Sequence, residues 1–289
     1  MAQTYYVDGQ FVAASEAVIP VDDLAIMRGF GVFDLLRTLN GQPLFLKEHI
    51  RRLAESARRI GIKLPWSQRH LIDVVMDTLH RNTYQESNIR IVVTGGSSPD
   101  FITPQGKPRL LVLVTRAPEL PAEWYTEGVK IITFFSERSI PGAKSIDYVA
   151  ATIALKQARE QGAIEAVYVD HNRHVLEGTT SNIFALINAT LVTAAEGILS
   201  GITRKAVLQL AAKTLAVETR NLDLDELRSA DEVFITGTNK MIVPVVQVDH
   251  STIGNGHPGP VTRMLMQAFG AQIDDYYDKE SAKQKKVKP

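Results

Sequence analysis

Gly142-Ala-Lys-Ser-Ile-Asp-Tyr148, followed by Leu176-Glu-Gly-Thr-Thr-Ser-Asn-Ile-Phe184, places one lysine and one glutamate beside predicted turns. Lys144 follows Pro141-Gly142, so we expect it on a turn and not on a solvated helix face. The next segment has helical spacing of apolar residues, and two short β-rich runs flank Glu177. A lysine on a turn and a glutamate at a strand end could therefore meet in one cleft.

Such a pair suits pyridoxal 5'-phosphate (PLP), because lysine forms a Schiff base with its aldehyde and a carboxylate keeps its ring nitrogen protonated. The pair alone is weak support, since most lysines are solvated surface residues. Three motifs in order are more specific: Lys-Ser-x-x-Tyr at 144–148, Glu-Gly-x-x-Ser-Asn-Ile-Phe at 177–184 and Leu-Ser-Gly-Ile-Thr-Arg at 199–204. This series resembles that of the fold-type IV PLP-dependent aminotransferases, which include branched-chain and D-amino-acid transaminases and aminodeoxychorismate lyase. The matches run from about Tyr6 to Val248.

The resemblance implies a two-domain α/β structure of fold type IV, with PLP in the cleft between the domains and a homodimer as the smallest assembly. An irregular, proline-bearing segment from Arg116 to Tyr125 predicts the linker, which we place at 118–127. We therefore expect a small N-terminal α/β domain at 1–117. The larger C-terminal α/β domain, 128–289, is expected to carry the PLP lysine.

The composition fits a protein that acts on small molecules. The 289 residues, of which 45% are hydrophobic, are enough for a sizeable core. Lys+Arg and Asp+Glu number 32 each, so no overall field favours nucleic acid or an anionic membrane. The absence of cysteine excludes disulfides and thiolate catalysis, and the expected chemistry requires no metal. Without a signal-peptide pattern or a bilayer-length apolar run, the cytoplasm is the expected location.

Further cofactor contacts follow from the resemblance. His49-x-x-Arg52-Leu53 resembles the family motif whose arginine grips the cofactor phosphate, although Arg52 taken alone would belong to a solvated helix face. Leu199–Arg204 indicates a turn into a helix whose first amides would face the same phosphate, although Thr203 alone would be a helix cap. Tyr148 would bind the phenolic oxygen, with a core tyrosine as the alternative. The implied cofactor-binding set is Lys144, which is also the catalytic residue, with Arg52, Tyr148, Glu177, Ile202, Thr203, Thr238 and Asn239.

The substrate motifs of the family are incomplete in this chain. Branched-chain enzymes carry Tyr-x-Arg where the chain reads Asn88-Ile89-Arg90. Bacillary D-amino-acid transaminases carry Arg-x-His after Thr-Ser-Pro and a tyrosine after Gly-Val, whereas this chain has Asp100-Phe101-Ile102 and Phe33. Arg90 of one subunit and Arg28 of the partner subunit would instead bind the α-carboxylate, a combination that resembles an atypical subgroup of D-amino-acid transaminases. The expected substrate-binding residues are therefore Arg28, Arg90 and Phe33.

The expected reaction moves an amino group between a D-amino acid, such as D-alanine or D-glutamate, and a 2-oxo acid, such as 2-oxoglutarate or pyruvate. A branched-chain L-amino-acid aminotransferase is the alternative, with Phe33, Met27 or Ile102 forming an apolar pocket. An (R)-amine transaminase and aminodeoxychorismate lyase also remain open. A non-enzymatic binding module would require Lys144 to be an ordinary turn residue.

Overall fold

The computed structural model of the protein describes residues 3–287, with side chains up to residue 279. The chain divides into two compact units, Met1–Glu119 with Ser139–Tyr148 and Leu120–Arg138 with Val149–Pro289. Both units combine strands and helices, which confirms the predicted α/β class.

Residues 139–148, which include Lys144, belong to the first unit, although we expected this lysine in the C-terminal domain. The Phe33 N–H donates to the Lys144 carbonyl oxygen over 2.9 Å, and the Ile146 N–H donates to the Gly31 carbonyl oxygen over 3.0 Å. These backbone bonds join residues more than a hundred positions apart, so local sequence patterns do not reveal them. They attach the lysine segment to the strand that carries Phe33.

The described part of the first unit has six strands and three α-helices. The strands are β1 (Thr4–Val7), β2 (Gln10–Ala13), β3 (Gly31–Leu39), β4 (Gln42–Pro43), β5 (Ser87–Thr94) and β6 (Arg109–Arg116). The helices are α1 (Leu24–Arg28), α2 (Leu46–Arg59) and α3 (Gln68–His80). The strands form one antiparallel sheet in the order β2-β1-β6-β5-β3-β4.

The face of this sheet that packs on α2 and α3 holds the core of the first unit. Along β5, Ile89, Ile91 and Val93 are fully buried, while Arg90 between them is exposed. Alternate side chains of a strand point to opposite faces, so Arg90 lies on the face away from the helices. Helix α2 completes the core with an apolar stripe that includes Leu53.

The described part of the second unit has ten strands and five α-helices. The strands are β7 (Val129–Phe135), β8 (Glu165–Val169), β9 (His174–Gly178), β10 (Asn182–Ile187), β11 (Thr190–Thr193), β12 (Ala216–Thr219), β13 (Leu222–Asp223), β14 (Glu232–Gly237), β15 (Met241–Val248) and β16 (Ser251–Thr252). The helices are α4 (Glu123–Thr126), α5 (Val149–Glu160), α6 (Ile202–Ala211), α7 (Leu224–Arg228) and α8 (Pro260–Val287).

These ten strands form one mixed sheet, and the strands from β10 to β9 in its order form a closed ring because β9 and β10 also pair. The order is β12-β11-β10-β14-β15-β7-β8-β9-β13, with β16 beside β15, and β9 also pairs with β10. At that extra pairing, Glu177 of β9 lies opposite Asn182 of β10. The closure therefore places two residues of the Glu-Gly-x-x-Ser-Asn motif side by side.

Two kinds of feature are absent from the described residues. No helix among them is long and apolar enough to cross a membrane. The same residues hold no group of three or more histidine, aspartate or glutamate side chains that could bind a metal ion. The cytoplasmic location stays a prediction from the sequence.

Candidate active site

Four predicted site residues meet around one aromatic ring in the first unit. The ring belongs to Phe33 of β3, whose side chain is 6% exposed. The Lys144 amine lies 4.7 Å from the ring centroid, and the Arg90 guanidinium carbon lies 5.1 Å from it. The Tyr148 ring meets the same ring edge to face, with centroids 5.4 Å apart. We call Phe33, Arg90, Lys144 and Tyr148 the Phe33 cluster.

Lys144 is held by its backbone on both sides. Its N–H donates to the Ser56 hydroxyl of α2 over 3.1 Å, and its carbonyl oxygen accepts from Phe33. The next residue, Ser145, forms an isolated bridge with Val32 of β3. The half-buried lysine thus follows a turn at 141–142, as the sequence predicts, and its amine lies 4.7 Å from the Phe33 ring centroid. Because its backbone is fixed, the position of the Lys144 Cα is defined even though the side chain is flexible.

Arg90 carries a charge that no carboxylate of the described residues compensates. It pairs with Leu35 across the β5–β3 ladder, which puts it on the same sheet face as Phe33. In the part of the chain that the structure describes, its guanidinium makes a cation–π contact but no hydrogen bond or ion pair. An exposed guanidinium of this kind retains its planar set of donors for a carboxylate.

Arg28 lies apart, at the C-terminal end of the short helix α1. Asp23 caps the start of this helix, and Gly29, with φ of 60°, ends it in a left-handed conformation. The exposed guanidinium of Arg28 donates to the Met27 carbonyl oxygen over 2.7 Å. The structure does not bring Arg28 into the Phe33 cluster of its own chain.

On the opposite face of β3, Asp34 binds the predicted phosphate ligand Arg52. Arg52 donates from Nε to Oδ2 over 2.9 Å and from Nη2 to Oδ1 over 2.8 Å. His49 Nδ1 lies 2.7 Å from Oδ1, and Asp34 is fully buried. Burial alone would raise the pKa of Asp34, but the charge of Arg52 and the hydrogen bonds from Arg52 and His49 hold that pKa well below its usual range. Arg52 is therefore oriented by the buried carboxylate of Asp34.

His49 is buried beside Asp34. Burial lowers the pKa of His49, although Asp34 opposes this shift. With Nδ1–H donating to Asp34, the buried Nε2 is an acceptor that has no hydrogen-bond partner among the described residues. Asp34 could have been noticed in the sequence as a carboxylate on the apolar face of a strand, two residues from Leu36.

In the second unit, the buried Glu177 carboxylate is fixed by donors on both of its oxygens. Arg138 Nη1 donates to Oε1 over 2.9 Å, and the Leu199 N–H donates to Oε2 over 3.0 Å. Asn182 Nδ2 lies 3.4 Å from Oε2 and also donates to the Leu199 carbonyl oxygen over 2.9 Å. No sequence pattern points to Arg138, because this pair spans 39 positions. A carboxylate held in this way can face a ring nitrogen without reorienting.

The start of helix α6 offers backbone donors. Gly201 is the residue before the helix, and a Cβ at that position would lie 2.0 Å from Asn182 Oδ1, so a side chain is excluded. Since Gly201 has no side chain to cap the helix, the amides of Ile202 and Thr203 remain open to an anion. Thr203 itself is buried. The ten-residue helix adds the favourable end of its dipole.

Thr238 and Asn239 lie on the turn that joins β14 to β15. Gly237 and Met241 pair across this turn, and both predicted residues are half-buried. The Tyr125 hydroxyl donates to the carbonyl oxygen of the following residue, Lys240, over 3.1 Å. Thr238 and Asn239 are thus presented by a turn that the second unit holds in place.

The residues present in each unit fit PLP. The second unit provides a fixed carboxylate for a ring nitrogen and an open helix N-terminus, bordered by a glycine, for a phosphate. The first unit provides a lysine amine and a tyrosine beside one ring, and an arginine held by Asp34. These groups match the aldehyde, the phenolic oxygen and the phosphate of PLP.

Comparison with known proteins agrees with this chemistry. Residues 31–248 match the family model described as amino-transferase class IV. The chain is 37% identical over 274 residues to a putative branched-chain-amino-acid aminotransferase of Methanocaldococcus jannaschii, covering 91% of this chain and 94% of the relative. It is 32% identical over 276 residues to the D-alanine aminotransferase of Bacillus licheniformis, covering 92% and 95%.

Solved structures show the same likeness. The branched-chain amino acid aminotransferase of Escherichia coli superposes with a TM-score of 0.87 at 26% identity, over 94% of each chain. A second branched-chain amino acid aminotransferase, solved with pyridoxamine 5'-phosphate, gives a TM-score of 0.87 at 28% identity, again over 94% of each chain.

Proposed function

The chain belongs to the class IV aminotransferase family, and within that family we propose that it is a D-amino-acid transaminase. The family match and the similar solved structures confirm the family, the type IV fold and the PLP cofactor that the motifs predict. The similar proteins include both branched-chain and D-alanine aminotransferases, so the choice of substrate depends on the residues of this chain.

The position of Arg90 carries the choice of an amino-acid substrate, and the D configuration rests on the resemblance of the Arg28 and Arg90 pair to an atypical subgroup of D-amino-acid transaminases. The Arg90 guanidinium and the Lys144 amine contact the same Phe33 ring, and no described carboxylate neutralises the guanidinium. A planar guanidinium binds a carboxylate through two parallel hydrogen bonds. We infer that an amino acid held there by its α-carboxylate directs its α-amino group toward Lys144, where transamination requires it.

Each remaining site residue has one task in this proposal. When bound, PLP supplies an aldehyde and a ring that withdraws electrons from the substrate. Lys144 would hold the cofactor and move a proton to and from the substrate Cα. Glu177 would keep a proton on the ring nitrogen, and Tyr148 would donate to the phenolic oxygen.

The cofactor phosphate would be held by donors of several kinds. They are the Arg52 guanidinium, the amides of Ile202 and Thr203, and the turn residues Thr238 and Asn239. The donation from Arg52 to Asp34 supports this role, because an arginine already oriented loses less freedom on binding a phosphate.

We also propose that the enzyme is a homodimer in which Arg28 of the partner subunit completes the carboxylate clamp. Support comes from the exposed position of Arg28, whose hydrogen bond uses Nη1 and a carbonyl oxygen of its own helix. Two guanidinium groups on one carboxylate would favour amino and keto acids over simple amines.

A branched-chain L-amino-acid aminotransferase is the second candidate. The identity of 37% to the putative branched-chain enzyme of M. jannaschii favours it. Met27 and Ile102 are exposed in this chain and would supply an apolar pocket together with Phe33. An (R)-amine transaminase and aminodeoxychorismate lyase are less favoured, since simple amines lack a carboxylate for Arg90 and the lyase does not exchange amino groups between amino and keto acids.

A half-reaction panel separates these candidates. The PLP form of the enzyme is mixed separately with D-alanine, D-glutamate, L-leucine, L-glutamate and (R)-1-phenylethylamine, and the cofactor absorbance is followed. We expect rapid loss of the band with the two D-amino acids. Rapid loss with L-leucine and L-glutamate alone would contradict the D-amino-acid proposal and establish the branched-chain candidate.

A further inference from the structure

A second buried carboxylate, Glu165, joins two loops of the candidate site in the second unit. Glu165 is the first residue of β8 and is fully buried. Lys240 Nζ donates to its Oε2 over 2.7 Å. The other donors to Glu165 are Thr180 Oγ1 at 2.6 Å, Ser181 Oγ at 3.0 Å, the Ala166 N–H at 3.2 Å and the Thr179 hydroxyl.

Both loops held by this carboxylate border predicted cofactor ligands. Residues 179–181 follow Glu177 and connect β9 to β10. Lys240 follows Asn239 on the turn between β14 and β15, and its amine also donates to Thr180 Oγ1 over 2.8 Å. The Glu165–Lys240 ion pair therefore ties the Thr238–Asn239 turn to the 179–181 loop, which follows the strand of Glu177.

The packing around the pair leaves little room for rearrangement. A Cβ on Gly178 would lie 2.2 Å from Ser181 Oγ and 3.1 Å from Glu165 Cγ. The Lys240 side chain is 16% exposed, so both charges are largely removed from water. Burial would raise the pKa of Glu165, but Lys240 and the hydroxyl donors bring it below its ordinary value, and the carboxylate stays ionised at neutral pH. A desolvated ion pair with satisfied hydrogen bonds is costly to break and thus fixes its surroundings.

We propose that Lys240 is a positioning residue for cofactor binding: by its ion pair with Glu165 it holds the turn so that Thr238 and Asn239 present their donors to the PLP phosphate. This inference depends on the PLP-dependent activity proposed above. Lys240 itself does not touch the reacting atoms. Its loss should weaken PLP retention while the rate at saturating PLP changes little.

The test separates positioning from stability. Lys240→Met alone leaves a buried, unpaired carboxylate and should lower the Tm. The double variant Glu165→Gln with Lys240→Met removes both charges, and its Tm should recover toward the wild-type value. We expect PLP to leave this double-variant holoenzyme roughly 10-fold faster than the wild type on dilution into phosphate buffer, as charge-assisted contacts of the phosphate lose their alignment. Cofactor absorbance reports the loss.

Two further variants complete the design. Lys240→Arg keeps the positive charge beside Glu165 and should retain PLP nearly as the wild type does. Lys213→Met removes an exposed lysine of the same unit and serves as the matched control. If the double variant recovers its Tm and also retains PLP like the wild type, Lys240 has only a stabilising role and the inference is wrong.

The same proteins distinguish this inference from the proposed substrate. Faster PLP loss in the double variant, together with wild-type transamination of L-leucine in place of D-alanine, would support the positioning role and overturn the D-amino-acid proposal. Unchanged PLP retention in the double variant, together with wild-type transamination of D-alanine, would overturn the positioning role and support the D-amino-acid proposal.

Discussion

The two faces of strand β3 differ in whether the arginine beside them has a counter-charge. On one face, Asp34 is fully buried and its carboxylate binds Arg52 through two hydrogen bonds. On the other, Phe33 lies beneath the guanidinium of Arg90, for which the described chain provides no counter-charge. These neighbours in sequence differ in side-chain direction because successive residues of a strand point to opposite faces.

The difference separates two uses of an arginine. A guanidinium neutralised inside the protein has a fixed orientation, and it contributes to the structure whether or not a ligand is bound. A guanidinium without a counter-charge can gain a full ion pair when a carboxylate arrives. We therefore assign Arg52 to the fixed framework of the cofactor site and Arg90 to substrate recognition.

The largest effect should come from the Phe33 face. Lys144→Ala removes the amine that we propose holds PLP and moves the proton, so we expect loss of both the cofactor absorbance band and transamination. Lys63→Ala, which removes an exposed lysine of the same unit, is the matched control and should retain both. Turnover by Lys144→Ala would end the assignment of this face to catalysis.

On the Asp34 face, the expected effect is on stability. Asp34→Asn leaves the largely buried Arg52 without its counter-charge, which should lower the free energy of unfolding by about 3–5 kcal/mol. Chemical denaturation measures this change. Asp73→Asn, in an exposed pair with Arg69, should alter stability little. A variant Asp34→Asn as stable as the wild type would contradict the framework role.

The pH dependence of unfolding sharpens the same point. The folded state holds the pKa of Asp34 well below its unfolded value of about 3.9. The stability that this carboxylate contributes is therefore present above about pH 4 and is lost as pH falls further, toward the folded pKa. Wild-type protein should lose stability more steeply with acid than Asp34→Asn, and parallel curves would contradict the stated shift.

Arg90→Leu should have an intermediate effect, confined to substrate binding. Loss of a charge-assisted, two-pronged contact raises KM for D-alanine roughly 10- to 100-fold, while kcat changes little. Arg116→Leu removes an exposed arginine from the end of β6 and provides the control. Steady-state kinetics would contradict the assignment if both variants had the same KM, or if kcat fell and KM did not change.

Phe33→Leu should have the smallest effect of this series. Leucine keeps an apolar side chain beneath Arg90 but lacks the ring face that attracts the guanidinium, an interaction worth about 0.5–1 kcal/mol at exposed sites. We expect a rise of a few-fold in KM for D-alanine. An increase as large as that of Arg90→Leu would show that Phe33 contacts the substrate more directly than Arg90 does.

Much of this arrangement can be anticipated from local sequence. The alternation of Ile89, Ile91 and Val93 predicts the outward direction of Arg90, and Pro141-Gly142 predicts the turn before Lys144. The ordered motifs predict the family and its cofactor, and the comparisons confirm both. These features depend on neighbours in the chain or on a pattern shared with known proteins.

The contacts that hold the site rigid could not be anticipated in the same way. Glu177 meets Arg138 across 39 positions, and Glu165 meets Lys240 across 75. Lys144 joins the first unit through bonds to β3, which lies far from it in sequence. Such pairs are set by sheet pairing and strand order, and a single charged residue has no periodic signal that identifies its distant partner.

The assignment of Arg90 to the substrate α-carboxylate is tested most directly by one comparison of two substrates. The half-reactions of D-alanine and D-alaninamide are measured with the wild type and with Arg90→Leu, because the amide lacks only the charged carboxylate. The wild type should strongly prefer D-alanine, and Arg90→Leu should reduce that preference roughly 10-fold or more. An equal preference in both proteins would contradict the assignment and give the α-carboxylate to another group.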